Sequence, residues 1–100
     1  MPVTVVLVGE GQAAGTEISL PTGIKAKAIL SAVKATLTEG TPNKFTVTSL
    51  TVTSETPGSG EIQLYSESSI KLGDEFATTD ILILTLLEKS EIVEPTSVST

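Results

Sequence analysis

The chain has 100 residues and a formal net charge of −6, with twelve acids against six lysines and no arginine, histidine or cysteine. Disulfides and thiolate metal sites are thereby excluded, the usual general base is missing, and a phosphate backbone would be repelled. Hydrophobic residues reach 39% but aromatics only 3%, so the one core that a chain of this length builds must consist of Val, Ile, Leu and Ala.

Val3-Thr4-Val5-Val6-Leu7-Val8 is a nearly unbroken β-branched run that closes on Gly9-Glu10-Gly11, the pattern of a strand buried on both faces. Thr16-Glu17-Ile18-Ser19-Leu20 alternates apolar with polar up to Pro21, which predicts a half-buried strand in a hairpin with the first. From Thr22 the period changes. Ile24, Ala28, Ile29, Ala32, Val33 and Leu37 recur every three or four residues, predicting an amphipathic helix capped by Thr22 and stopped at Gly40 and Pro42.

Between Lys44 and Ser54, Phe45 and Val47 are out of phase with Leu50 and Val52, which predicts a bulge or bend near Thr48-Ser49. Thr56 to Gly60 reads as a turn, and Ile62 and Leu64 mark a short strand. Ser66 to Thr79 reads as a long connection over the edge of the core, anchored by Ile70, Leu72 and Phe76. Asp80 to Glu88 is a second strand apolar on both faces. Residues 1–89 are thus expected to form one domain, with 90–100 as a C-terminal arm or tail.

This order, carried by the opening hairpin, the helix Ile24 to Leu37, and Ser69-Ile70-Lys71-Leu72-Gly73-Asp74-Glu75 leading into Asp80 to Leu87, resembles the β-grasp fold of ubiquitin-like and sulfur-carrier-like proteins. The resemblance implies an α+β class: a mixed sheet of four to five strands, with one helix and with the first and last strands parallel at its centre. Those families act through a C-terminal Gly-Gly, whereas this sequence ends Ser97-Val98-Ser99-Thr100, so the activity is not carried over.

The motifs that touch on chemistry are weak. Ser31-Ala32-Val33-Lys34 has the S-x-x-K spacing of serine β-lactamases, without their partner motifs. Gly9-Glu10-Gly11 with Gly15 lacks the spacing of a phosphate loop and leads into a strand. Asp74, Glu75 and Asp80 could approach an ion, but they do not match spaced calcium-loop ligands and read first as turn acids. The expectation is a protein with no catalytic, metal or cofactor site.

What remains is an interaction protein. The strands apolar on both faces need cover that one helix cannot give, and Ile92, Val93 and Val98 are the apolar anchors available to an arm. A small, acidic, Cys-free, Thr-rich chain resembles the decoration or cement proteins of viral capsids. That resemblance implies protein subunits of a larger assembly as partners, capsid protein or the chain itself. An adaptor or regulatory module of a cellular complex is the other reading. Nucleic acid is not expected as a partner, since twelve acids against six lysines and no arginine would repel phosphates, nor is a membrane, since no basic n-region opens the sequence and no apolar run approaches the ~20 residues that span a bilayer. The expected location is the virion for a viral protein and the cytoplasm otherwise.

Overall fold

A computed structural model describes residues 2–89, and among them there are strands and turns but no helix. The strands are β1 (Pro2–Val8), β2 (Glu17–Ser19), β3 (Ala26–Thr38), β4 (Lys44–Ser49), β5 (Thr51–Thr53), β6 (Glu61–Ser66), β7 (Ser69–Leu72) and β8 (Asp80–Glu88). They form two four-stranded sheets, ordered β1-β8-β3-β4 and β2-β7-β6-β5. The class is all-β, which corrects the α+β, β-grasp-like expectation.

The segment read as a helix is the longest strand, and its bulges explain the misreading. β3 slips register against β8 between Ala26 and Ala28 and again between Ile29 and Ser31. Each extra residue turns the strand period of two locally into three, so Ala26, Ile29 and Ala32 all point into the core, at 2%, 7% and 3% exposure. The inner Ile29 and Ala32 are three apart for this reason, and together with Ala28, Val33 and Leu37 of the outer face they imitate a helix stripe. The β-branched Ile29, Val33, Thr36 and Thr38 are the contrary signal, since such side chains favour the pleated strand.

Three further expectations change with the topology. β1 and β8 are neighbours, but antiparallel, with Val5 opposite Leu84, and β1 lies at the sheet edge instead of its centre. β2 does not form a hairpin with β1; it pairs with β7 in the other sheet. The phase break at Thr48-Ser49 is a change of sheet: β4 pairs with β3, β5 pairs with β6, and the half-buried Leu50 crosses between them, its N–H donating to the Ala32 carbonyl at 2.9 Å.

The two sheets enclose one core. Val5, Ile29, Ala32, Leu82, Leu84 and Leu86 of the first sheet belong to the same buried cluster as Ile18, Ile62, Ile70 and Leu72 of the second. Ile70, Leu72 and Phe76 lie at its centre, at 0%, 3% and 1% exposure, so the expected edge connection is a core strand, β7, followed by a buried plug. Full burial of each large side chain contributes roughly 1.5–3 kcal/mol.

Two close backbone approaches hold the loops. A Cβ on Gly9 would collide with the Ala77 carbonyl oxygen, and one on Gly73 would collide with that of Gly58, so neither position has room for a side chain. The expected arm lies outside the described residues.

Candidate protein-binding face

Strand alternation sorts the paired residues of the first sheet to an inner or an outer face. On β1 the inner residues are Val3, Val5 and Leu7, packed on the core, which leaves Thr4, Val6 and Val8 outside. On β8, Leu82, Leu84 and Leu86 are buried, leaving Ile81, Ile83, Thr85 and Leu87.

Register extends the outer face across the sheet. Val8 lies opposite Ile81, Ile81 opposite Ala35, and Ala35 opposite Val47; one row away, Val6, Ile83, Val33 and Ser49 align in the same manner. Phe45 opposite Leu37 continues it on the far strand, and Ser31 opposite Thr85 towards the other end. None of these paired outer positions carries a charge. Several are large, apolar and open: Val6 is 58% exposed, Val8 62%, Phe45 57% and Val47 64%. Contiguous apolar surface of this kind marks interaction sites far more often than scattered single residues do.

The second sheet is different. Its outer row runs Glu17, Lys71, Gln63, Thr53, and the Lys71 ammonium sits 3.8 Å from the centroid of the Tyr65 ring. That face is built for water.

The residues weighed for chemistry are not brought together. Ser31 lies opposite Thr85 and Lys34 opposite Leu82, on different faces of β3, so the S-x-x-K pair cannot serve one pocket. The Gly9–Gly15 loop is stitched to the segment before β8: Gly11 N–H donates to the Phe76 carbonyl at 2.9 Å, and Phe76 N–H to the Gln12 carbonyl at 2.8 Å.

Asp74 and Asp80 serve structure. Asp74 accepts from the Gly60 N–H at 2.7 Å and the Ser59 hydroxyl at 3.0 Å, fastening the β5–β6 connection. These two bonds, the backbone one foremost, hold its carboxyl below the usual aspartate range. Asp80 is 4% exposed and is no solvated turn acid. It accepts from the Thr36 hydroxyl at 2.6 Å and from the Ala77 N–H at 2.8 Å, tying β8 to β3 and to the preceding turn. Among the described residues, no three His, Cys, Asp or Glu side chains stand close enough to hold a metal ion.

An ion pair between Lys89 and Glu67 joins the end of β8 to the β6–β7 turn, and the lysine's hydrogen bond lowers the Glu67 pKa. Ile92, Val93 and Val98 lie outside the described residues. An uncovered apolar face is legible in the strands apolar on both sides, but its membership is not, because the β3 residues read as a helix; the alternation in Lys44 to Ser49 is the other readable part.

No family model, curated protein or solved structure matches the chain.

Proposed function

We propose that the protein is a non-catalytic interaction domain that binds protein subunits of a larger assembly through the outer face of the β1-β8-β3-β4 sheet. The observation that carries this reading is that nearly uncharged face, on which the unpaired bulge residue Lys27, at one end of β3, is the exception. In a chain where acids outnumber lysines two to one, the paired positions of a whole sheet face are left to Val, Ile, Leu, Phe, Ala, Ser and Thr. Charge complementarity sets the partner's chemistry: a flat apolar protein surface bordered by basic side chains, to match an acidic chain in which no paired outer position of the first sheet is a carboxylate. The absence of His and Cys from the sequence supports the non-catalytic part.

A capsid lattice is the assembly that the chain's small, acidic, Cys-free character favours, and an adaptor role in a cellular complex is the alternative. Co-sedimentation of the full chain with purified capsids tests both. The unsubstituted protein and Gln63→Lys should be retained alike, while Val47→Lys, with a charge on the most exposed apolar side chain of the face, should lose binding by about tenfold or more. Capsids that retain none of the three proteins would overturn the capsid reading. Retention of Val47→Lys equal to Gln63→Lys would remove the face.

A further inference from the structure

The sandwich has four edge strands, and they are not equally protected. β2 and β5 are three residues long, β2 begins on Glu17, and β4 begins on Lys44. Short length and charge are the usual devices that stop an edge from pairing with another chain. β1 has neither: seven residues, Pro-Val-Thr-Val-Val-Leu-Val, without a charge. Beside it lies an open groove of about 470 Å³, bordered by Val6, Leu7 and Val8 of β1 and by Glu17, Ile18 and Ser19 of β2, with Glu10 and Gln12 of the connecting loop also lining it.

The direction of the free hydrogen-bonding groups follows from the ladder. Gly9, next in register after the Val8–Ile81 pair, donates its N–H to the Asp80 carbonyl at 2.9 Å. In an antiparallel pair every second residue bonds to the partner strand. Counting back from Gly9, the residues that bond to β8 are Leu7, Val5 and Val3, while Thr4, Val6 and Val8 turn their N–H and C=O groups to the open edge. Pro2 turns only a carbonyl there, and its missing N–H falls at the end of the strand.

We propose that two copies of the chain pair through β1, antiparallel and edge to edge about a two-fold axis at Val5, joining their first sheets into one continuous sheet. That register sets Val5 against its own copy, Thr4 against Val6, Val3 against Leu7 and Pro2 against Val8. Every pair matches inner face with inner face and outer with outer, as a closed two-fold interface requires. Donors meet acceptors along the whole strand except at the two prolines. The seam also brings no charged β1 side chain against its copy, although each copy carries −6. The β2 and β4 edges, by contrast, would set Glu17 or Lys44 in the paired strand itself, whereas at the β1 seam Glu10 and Glu17 line the adjoining groove but stand outside the ladder. The two uncharged outer faces become one, doubled in width, but the pairing rests on the edge and stands whether or not that face binds a partner.

Sedimentation equilibrium of the full chain over a range of concentrations should show a reversible dimer. Thr4→Pro removes an N–H that points only to the free edge, so it should raise the dimer dissociation constant about tenfold or more while far-UV circular dichroism and melting stay unchanged. Register is tested by cross-linking, which the absence of native cysteine makes clean. Thr4→Cys and Val6→Cys lie opposite each other across the seam at about 5.5 Å between Cα atoms, within disulfide reach, whereas Thr4 and its own copy are about 7–8 Å apart. The mixture of the two variants should therefore oxidise to a covalent dimer much faster than either variant alone. A chain that stays monomeric throughout, or a Thr4→Pro protein that dimerises as tightly as the original, would overturn the proposal. If Thr4→Pro unfolds, the cross-linking decides: equal rates for the mixture and the single variants refute the Val5-centred pairing.

Discussion

The outer faces of the two sheets are made by the same alternation over the same core, yet one carries Glu17, Lys71 and Gln63 in a single row while the other has no charge at any paired position. Folding does not require that difference. Inner faces must be apolar because they meet each other, but an outer face needs only to tolerate water, and charged side chains satisfy that on either sheet. The stability of the isolated domain does not call for paired outer positions without charge, and that is the ground for the proposed binding role.

The largest effects test whether the cores beneath the two faces are equivalent. Leu84→Ala under the first face and Ile62→Ala under the second should each cost about 2–5 kcal/mol in urea unfolding, with one cooperative transition in both. Two separate transitions would mean that the sheets are independent, and the contrast between faces would then reduce to a contrast between two folding units.

A smaller loss separates the buried acid from the exposed ones. Asp80→Ala leaves the Thr36 hydroxyl and the Ala77 N–H without their acceptor, so about 1–3 kcal/mol should disappear from thermal or denaturant stability. A loss below about half a kcal/mol would show that water replaces the carboxylate and that the first sheet does not depend on this tie.

The smallest effect concerns Asp74, at the edge of the second sheet. Its folded pKa is depressed, so the stabilisation it gives is present above its unfolded value of about 3.8 and is lost as pH falls through the folded pKa. Stability should decline slightly more steeply below about pH 4 in the original protein than in Asp74→Asn, and identical acid profiles would show that its bonds to Gly60 and Ser59 contribute nothing in solution.

How much of this could be read without the fold varies by element. The strands at Pro2–Val8 and Asp80–Glu88, the half-buried strand around Ile18 and the short one at Ile62 and Leu64 follow from period and β-branching. The helix does not survive: the bulges in β3 set the inner Ile29 and Ala32 three apart, and the outer Ala28, Val33 and Leu37 completed a helix-like spacing from the opposite face. Val47 and Leu50 likewise marked a real discontinuity, but a phase break looks the same for a bulge within one sheet and a step to another.

The candidate site was half visible. Strands apolar on both faces implied a surface that one helix could not cover; in the fold the second sheet takes the place expected for the helix, and the outer face is still left open. Its membership did, since Val33, Ala35 and Leu37 join Val6, Ile83 and Val47 only when β3 is a strand between β8 and β4.

Composition alone determined that there is no His or Cys chemistry, that very few aromatics are available to the core, and that the chain is acidic, because these are counts that no folding can alter. Local pattern determined where most strands lie, since alternation is a property of neighbouring residues. Tertiary structure alone decided which strands pair, in which direction and in which sheet. Those choices are set by contacts between residues far apart in the chain, such as Val5 with Leu84 and Ile18 with Ile70, and the period of a single segment is the same whichever partner it takes.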